Sequence, residues 1–352
     1  MVSTLLENIL VKTDTLIERV FRPPRDREPV DFGRYLNNPE KILLIADHDL
    51  AGVCLVSCFI PTLQQKFPAA KIAVVVNPEH ASLLGGMKRV TVFPWENRAP
   101  HQLDSGFRRL SAELRQRQFH WGLNMAGGGR AEALLLYAGS VMIRTGIARD
   151  DNDRYYNLIV RSGESGGIFQ RLTNLMRALK VDIPADGLEL PFTLSRSERQ
   201  RAQRFIRQRK SSSGNGRFIG FAPETGPAKS SMEQLLQRTC MRLVSEYEPL
   251  HLIVAGNLAS ADELKKNEQL RAYLFFFDDL RRMIAALAYC DRVITGSAGL
   301  AWLLGKMGVR VALIVTGRDR LAELGIETPD TVTVIREGDE GGVENLAVGF
   351  TR

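Results

Sequence analysis

The chain has 352 residues, a formal net charge of +7, and ordinary fractions of hydrophobic (44%) and charged (25%) residues. This composition is typical of a soluble globular protein with about two domains, and it gives no reason to expect a disordered chain. The positive charge favours an anionic partner, but composition alone does not choose among nucleotides, nucleic acids, phosphorylated sugars and acidic membranes.

The four cysteines are scattered without the spacing of metal ligands. Cys54 and Cys58 share one face of a predicted helix, yet a small buried residue is the more common role of a free cysteine. The sequence therefore predicts buried thiols, no metal site and a reducing, cytoplasmic location.

The first 35 residues are expected to form an extension outside the main fold. Residues 1–21 have apolar side chains at helical spacing but no long apolar run, which excludes a signal peptide or a membrane span. The proline-rich residues 22–29 then predict an extended linker. The amphipathic helix could pack on the body of the protein, or it could contact a membrane or a partner.

Short apolar segments alternate with helical patterns from residue 36 to residue 190. Continuous apolar runs are typical of parallel strands covered on both faces, so this progression predicts a doubly wound α/β sheet. Asp47, His48 and Asp49 follow the first strand, at the edge where ligands of such sheets bind. The strands are predicted at residues 41–46, 71–76, 90–94, 120–125 and 141–147.

A second α/β unit is predicted over residues 191–352. It begins with a basic helix at residues 196–210 and a loop, SSSGNG, at residues 211–216. Its strands are predicted at residues 217–222, 251–256, 292–295 and 311–315. Two such units placed end to end form a cleft between the carboxyl edges of their sheets.

The basic helix concentrates its charge on one face. Arg196, Arg199, Arg207 and Lys210 fall on one side and Arg204 lies at its edge. This face is either solvated or attracted to phosphorylated lipid or an anionic membrane. Nucleic acid is not an expected partner, because no nucleic-acid-binding motif is present and no aromatic residues alternate with the charges.

Two glycine-rich turns could approach an anion. Gly296-Ser297-Ala298-Gly299 joins a strand to a helix, so its backbone N–H groups and the helix dipole could bind a phosphate. Alternatively, its small residues let the helix pack closely. AGGGRAE, at residues 126–132, could use its backbone and Arg130 in the same way, or it could be a plain loop. The first strand is not followed by the GxGxxG expected of a dehydrogenase, and the GxxxxGK[ST] motif of a P-loop kinase is absent from the sequence.

Several stretches then match one family in order and spacing. They are KILLIADHDLAGVCLVSCFIPTLQQKFPAAKIAVVV, LNMAGGGRAEALLLYAGS, GFAPETGPAKSSMEQL, LIVAGNLASADE and LRRMIAALAYCDRVITGSAGLAWLLGKMG. Together, over residues 41–316, they resemble glycosyltransferase family 9, the ADP-heptose lipopolysaccharide heptosyltransferases.

The resemblance implies the GT-B fold, with two Rossmann-like domains facing a central cleft. Residues 36–190 would hold the acceptor, and residues 191–352 would hold the nucleotide sugar. The implied reaction is inverting transfer of heptose, or a related sugar, from an ADP-sugar to a lipopolysaccharide or related glycan. No cofactor or metal is implied, and the enzyme would work in the cytoplasm, with peripheral contact at the inner membrane as an alternative.

The resemblance also implies residues that hold the donor. Lys229 stands where the family places a lysine that contacts the nucleotide-sugar phosphates, and an ammonium there would neutralise the leaving group. Glu224 and Thr225 lie on the preceding loop, Gly256 ends a strand, and Glu263 stands where an acid faces the nucleoside. Each has a plainer explanation as a surface, turn or helix-start residue.

The chain departs from the family at its signature residues. The turn before the last nucleotide-binding helix usually carries an acid, a small pair and a histidine, and here these positions are Ser297, Ala298-Gly299 and Trp302. Ser297, Ala298 and Gly299 remain candidates for donor binding through the backbone. The opening loop usually ends in glycine and an aspartate that serves as base, but here it reads Ala51-Gly52.

The first loop offers replacement bases. Asp47 or Asp49 could accept the proton of an acceptor hydroxyl, and His48 is a further candidate. Asp49 could instead be the N-cap of the following helix. A relative that keeps the fold without catalysis, and binds a nucleotide, a glycan or a protein, is the main alternative to an enzyme.

Overall fold

A computed structural model of the chain contains two parallel six-stranded sheets. It describes residues 31–96, 104–126, 129–147, 153–160, 167–183, 189–213, 217–222, 250–255, 274–277, 279–315, 321–322, 325 and 327–336. The strand order is β3-β2-β1-β4-β5-β6 in the first sheet and β12-β11-β10-β7-β8-β9 in the second. Every strand pair is parallel, for example Leu43 with Ala73 and Val293 with Val311.

The first sheet alternates with helices along the chain. Its strands are β1 (Lys41–Ile45), β2 (Lys71–Val76), β3 (Val90–Pro94), β4 (Trp121–Asn124), β5 (Ile143–Ile147) and β6 (Leu158–Val160). The helices of this part are α1 (Phe32–Asn37), α2 (Leu50–Lys66), α3 (Ala81–Leu84), α4 (Ser105–Arg117), α5 (Arg130–Ala138) and α6 (Ile168–Ala178). Short 3₁₀ helices occur at Pro78–His80 and Asp153–Tyr155.

The second sheet begins after a long basic helix. Its strands are β7 (Arg217–Ala222), β8 (Leu250–Ala255), β9 (Leu274–Phe277), β10 (Arg292–Thr295), β11 (Val311–Val315) and β12 (Val332–Arg336). The helices described here are α7 (Arg196–Ser213), α8 (Leu280–Leu287) and α9 (Ala298–Lys306).

Both faces of the first sheet are buried, which explains the uninterrupted apolar sequence of β1. Successive side chains of a strand point to opposite faces. Ile42 and Leu44 therefore join one core together with helix α2, whereas Leu43 and Ile45 join a second core with helices α4 and α5. The first core continues into the second sheet through residues such as Phe218 and Val293, so the two sheets share buried apolar contacts.

The two halves of the chain touch at the first turns of helices α2 and α9. A Cβ atom added to Gly299 would lie 2.7 Å from the carbonyl carbon of Leu50 and would also collide with the backbone of Ala51. Only a residue without a side chain can make this approach. Gly299 thus brings the two helix starts, and the carboxyl edges of both sheets, together.

The predicted α/β class and the two Rossmann-like units are confirmed. All nine predicted strands are present within one or two residues, and three more, β6, β9 and β12, were not predicted. Helix α7 continues to Ser213, so the predicted loop begins three residues too early. Cys54, Cys58 and Cys290 are buried free thiols as predicted.

Some expectations fall outside the described residues. They include the N-terminal helix, the whole proline-rich linker and Cys240. Among the helices in the described part of the chain, none has the length and hydrophobicity needed to cross a bilayer.

Candidate functional site

The strand orders place one crevice at the carboxyl edge of each sheet. In a doubly wound sheet, ligands bind where chain connections leave neighbouring strands in opposite directions. In the first sheet this point lies between β1 and β4, and in the second it lies between β7 and β10. Asp47, His48 and Asp49 follow β1, and the turn from Gly296 to Gly299 follows β10, so both predicted groups stand at these crevices.

The first crevice contains a histidine paired with a buried glutamate. His48 Nε2 lies 2.8 Å from Oε1 of Glu132, which belongs to helix α5 after strand β4. The Glu132 side chain is 4% exposed, whereas the His48 side chain is 38% exposed. A buried carboxylate thus holds an imidazole that reaches solvent at the crevice.

The surroundings of His48 favour its protonated form. The hydrogen bond to Glu132 raises the pKa of His48 above its usual 6.5, and the negative charges of Glu132, Asp47 and Asp49 add to this effect, while burial opposes it. In the neutral imidazole, an Nε2–H donated to Glu132 leaves Nδ1 as the basic nitrogen. This pair has the chemistry of a histidine base oriented by a carboxylate.

Glu132 is positioned by the start of its own helix. It is the third residue of helix α5, after the N-cap Gly129, and its carboxylate folds back over that glycine. A Cβ atom on residue 129 would lie 2.8 Å from the Glu132 carboxyl carbon and would collide with one of its oxygens. The helix dipole also stabilises a negative charge at this place. Gly129 is therefore part of the arrangement that aims Glu132 at His48.

Glu132 was not among the predicted site residues. The sequence interpretation noted the AGGGRAE turn but selected Arg130 as its functional side chain. The pair joins residues 84 positions apart, which become neighbours only because β1 and β4 are adjacent. A glycine three residues before a glutamate at a helix start was the signal available in the sequence.

Asp49 is the N-cap of helix α2. Its Oδ1 atom accepts a hydrogen bond of 2.6 Å from the Gly52 N–H, and its backbone is extended. Such caps satisfy one of the N–H groups left open at a helix start. The structure thus shows the capping role that the sequence offered as an alternative, and a role for Asp49 as base stays a prediction.

Asp47 takes the space that a side chain on residue 52 would need. A Cβ atom on Gly52 would lie 3.2 Å from the Asp47 Cα and would collide with the Asp47 Cβ. Asp47 Oδ1 also accepts a hydrogen bond of 2.8 Å from the His48 N–H. The Asp47 side chain therefore lies beside residue 52, where the resemblance predicts an aspartate, but it is attached to the loop instead of the helix.

Hydrogen bonds of Thr295 and Ser297 hold the turn at the second crevice in place. Thr295 Oγ1 donates to the Ala222 carbonyl at 2.7 Å and accepts from the Ser297 N–H at 3.0 Å. Ser297 is the N-cap of helix α9, since its Oγ accepts from the Leu300 N–H at 3.4 Å. These contacts fasten the turn to the end of strand β7.

The contact of Gly299 with the first half of the chain explains this glycine without a ligand. Ala298 is 5% exposed, so it too is covered. Close packing, the alternative offered for this turn, is thus what the structure shows at Gly299. Donor binding by Ser297, Ala298 and Gly299 stays a prediction.

Trp302, at the position where the resemblance predicts a histidine, is buried within helix α9. It is 4% exposed, and within the described part of the chain its indole Nε1 has no hydrogen-bond partner. An indole N–H cannot accept a proton, so Trp302 cannot supply the acid–base chemistry of a histidine.

The other predicted donor residues lie outside the described residues. They are Glu224, Thr225, Lys229, Gly256 and Glu263, and their roles stay predictions.

Comparison with solved structures gives neighbours for most of the chain. The E. coli ADP-heptose lps heptosyltransferase II is 19% identical, with a TM-score of 0.66 over 88% of this chain and 98% of that one. The glycosyl transferase family 9 protein from Veillonella parvula is 14% identical, with a TM-score of 0.64 over 89% and 90%. E. coli heptosyltransferase WaaC, solved with ADP, is 15% identical, with a TM-score of 0.64 over 88% and 99%.

No protein-family profile matches the chain, and no curated protein matches it in sequence. The likeness to solved structures nonetheless covers both sheets. The chain therefore has the two-domain, Rossmann-like GT-B fold found in the family 9 heptosyltransferases that it resembles.

Proposed function

We propose that the chain is a glycosyltransferase that moves a sugar, with inversion, from a nucleotide sugar to a hydroxyl of a glycan acceptor. His48 is the general base, and Glu132 orients it. The observation that carries this proposal is the 2.8 Å contact between His48 and the buried Glu132 at the crevice of the first sheet. The fold supports the same reaction class, since its neighbours include glycosyltransferases.

The proposed step is a single displacement. The acceptor oxygen forms a bond to the anomeric carbon as the bond from that carbon to the nucleotide diphosphate breaks, which inverts the configuration. The acceptor proton passes to Nδ1 of His48, and Nε2–H stays bonded to Glu132, whose charge stabilises the imidazolium. The Nδ1 position follows from the tautomer that the Glu132 contact selects.

The diphosphate leaving group needs positive charge on the other side of the crevice. In the proposal, Lys229 supplies it, together with backbone N–H groups of the turn that begins helix α9. Glu224 and Thr225 would contact the phosphates, and Glu263 the nucleoside. No metal or other cofactor takes part.

The donor proposed is an ADP-sugar, and the sugar is heptose or a close relative. This rests on the similarity of fold to heptosyltransferases, one of which was solved with ADP. The proposed acceptor is a lipopolysaccharide or a related glycan. Such an acceptor would bring the enzyme to the inner surface of the membrane, where the exposed arginines of helix α7 would favour contact with anionic lipid.

A non-catalytic relative is the second candidate. Three observations favour it. Residue 52 is a glycine where the family has an aspartate, and residue 302 is a tryptophan where the family has a histidine. In addition, Gly299 in the first turn of helix α9 packs against Ala51 of helix α2. Such a protein would keep the fold to bind a nucleotide, a glycan or a protein.

Calorimetric titration tests the donor site that the transferase proposal requires. The purified protein is titrated with ADP, ADP-heptose, UDP and UDP-glucose at low and at physiological salt. We expect selective binding of ADP-heptose and its loss in Lys229→Ala. Absence of binding by all four nucleotides would remove the transferase proposal.

Turnover then tests the base. We expect His48→Gln to lower the rate of transfer strongly while keeping donor affinity, and Asp47→Asn and Asp49→Asn to retain more activity than His48→Gln. Unchanged turnover in His48→Gln would exclude His48 as base and return the role to Asp47.

A further inference from the structure

Three arginines line one cavity at the amino edge of the second sheet, opposite the crevice. Arg217 and Arg292 are the first residues of strands β7 and β10, and Arg310 precedes β11. All three line a cavity of about 470 Å³. Strand β10 has four residues, so this edge lies about 13 Å from the Ser297 turn, at ~3.3 Å per residue. The cavity is thus separate from the candidate donor site.

The strand register brings the arginines side by side. Arg292 pairs with Ile219, which points to the same face as Arg217 two residues earlier. Val293 pairs with Val311 and donates its N–H to the Arg310 carbonyl at 2.9 Å, so Arg310 stands next to Arg292. Three cationic side chains therefore start from neighbouring positions on adjacent strands.

Among the described residues, positively charged side chains outnumber negatively charged ones around the cavity. Three arginines and one aspartate, Asp291, line it. Asp291 Oδ2 accepts a hydrogen bond of 2.7 Å from the Phe218 N–H, so part of its capacity is used within the sheet. Burial, and then the positive charges of Arg310 and Arg217, lower the pKa of the Arg292 guanidinium. The three guanidinium groups are thus close enough to act together on an anionic ligand.

The rest of the lining suits a ligand with an apolar part. Ala288, Met307 and Val309 contribute apolar surface beside the guanidinium groups. The volume also falls within the range of about 300 to 1,000 Å³ that small-molecule sites occupy. A bare ion would leave most of this space to water.

One exposed arginine of helix α7 lies on the side of the protein that carries the cavity. Near its start, helix α7 contacts the beginning of α8 through Glu198 and Arg281. Further along, Gln203 of α7 contacts Tyr289, which lies just after the end of α8. The two helices therefore run in the same direction. The exposed Arg207, one turn beyond Gln203, lies toward the end of α8 that borders the cavity. Its charge would raise the local concentration of anions.

We propose that the cavity defined by Arg217, Arg292 and Arg310 binds a phosphate group carried by an organic molecule. Guanidinium groups match phosphate because each can donate two parallel hydrogen bonds to it. The phosphate could come from a soluble phosphorylated compound or from a phospholipid headgroup. The proposal does not depend on the glycosyltransferase activity.

The test uses the full chain and simple phosphate probes. Inorganic phosphate and pyrophosphate are titrated by calorimetry into the wild type, Arg292→Gln and Arg310→Gln, with the exposed Arg199→Gln of helix α7 as matched control. We expect at least about tenfold weaker binding in each cavity variant, since each loses a bidentate contact, and unchanged binding in the control. Equal affinity in all proteins, or no binding to the wild type, would overturn the proposal.

Two further measurements distinguish binding in this cavity from binding at the donor site and from a purely structural role of Arg292. A loss of phosphate binding in Lys229→Ala but not in Arg292→Gln would place the anion at the donor site and contradict the proposal. The second measurement compares the melting temperatures of the wild type and Arg292→Gln in phosphate-free buffer, which shows whether the substitution also affects folding. A lower melting temperature together with wild-type phosphate affinity would show a structural arginine only.

Vesicle flotation distinguishes the two sources of phosphate. If phosphatidylglycerol vesicles bind the wild type but not Arg310→Gln, and pyrophosphate competes, the headgroup is the source. If pyrophosphate binds and the vesicles do not, the source is a soluble compound.

Discussion

The crevices of the two sheets occupy equivalent positions but differ in chemistry. The first contains Asp47, His48, Asp49 and, from the neighbouring strand connection, Glu132. The described part of the second presents Ser297, Ala298 and Gly299, which have no ionisable side chain. The same architecture thus places proton-transfer groups on one side and backbone N–H groups on the other. Such a division suits a reaction in which one substrate loses a proton and the other releases an anion.

The largest expected effect is the loss of the imidazole. His48→Gln should lower kcat/KM for transfer by about 10²- to 10⁴-fold, the usual contribution of a general base. The matched control is His120→Gln, because His120 lies at the opposite edge of the same sheet, where its Nδ1 accepts from the Glu40 N–H. Equal losses in both variants would mean that His48 has only a structural role.

Removal of the Glu132 charge should alter both rate and pH dependence. In Glu132→Gln, the amide can donate to Nε2 and favour the wrong tautomer, so we expect a rate loss on the order of 10²-fold. Transfer rises with pH as His48 loses its proton. Because Glu132 raises the pKa of His48, this rise should shift to lower pH in the variant. A pH–rate profile of kcat/KM measures both, with Glu113→Gln on helix α4 as control.

The same pair should make stability depend on pH. A histidine whose folded pKa is raised stabilises the fold below its unfolded pKa, and this contribution is lost as the pH rises through the folded value. The melting temperature of the wild type should therefore exceed that of His48→Gln by more at about pH 5.5 than at about pH 8.5. A difference that grows with pH would contradict the assigned direction of the pKa shift.

Two variants test whether side chains at residues 47 and 52 compete for the same space. Gly52→Asp alone should destabilise the protein by about 1–3 kcal/mol, because the new side chain collides with Asp47. The double variant Asp47→Gly with Gly52→Asp should recover much of this loss and move the carboxylate to residue 52. Thermal melts of the two variants decide the matter, and equal stability would show that the two positions do not compete.

A smaller effect is expected where the two crevices meet. Gly299→Ala should force the starts of helices α2 and α9 apart and cost about 1–2 kcal/mol in the free energy of unfolding. Gly86→Ala is the control, since a Cβ there would meet only the far end of Arg281 at 4.0 Å. Denaturant titration compares them, and a neutral Gly299→Ala would mean that the contact is loose.

The sheets were predictable because their strands are continuous apolar runs. Two of the missed strands lack this signal: β6 has three residues and an exposed Ile159, and β12 mixes buried and exposed positions at a sheet edge. Strand β9 is a continuous apolar run and was missed despite this signal. The first loop was also predictable as a site, since it follows the first strand. The role of each residue in this loop was harder to predict. The sequence allows the Asp49 carboxylate to be either a helix cap or a catalytic base, and only the 2.6 Å hydrogen bond from the Gly52 N–H shows the capping role.

The partners within each site could not be predicted, because they depend on strand order. Glu132 reaches His48 only through the adjacency of β1 and β4, and Arg217 meets Arg292 only through the adjacency of β7 and β10. The steric conflict between Asp47 and any side chain at residue 52 depends on how the loop turns into helix α2. The spacing of residues along the chain does not reveal this conflict.

The most direct test of the account is an NMR titration of His48 in histidine-labelled protein, because it requires no substrate. We predict a pKa above 6.5 in the wild type and a clear fall in Glu132→Gln, while the pKa of His120 stays the same in both proteins. A wild-type pKa at or below 6.5 that Glu132→Gln leaves unchanged would contradict the pairing of His48 with Glu132, and with it the proposed base.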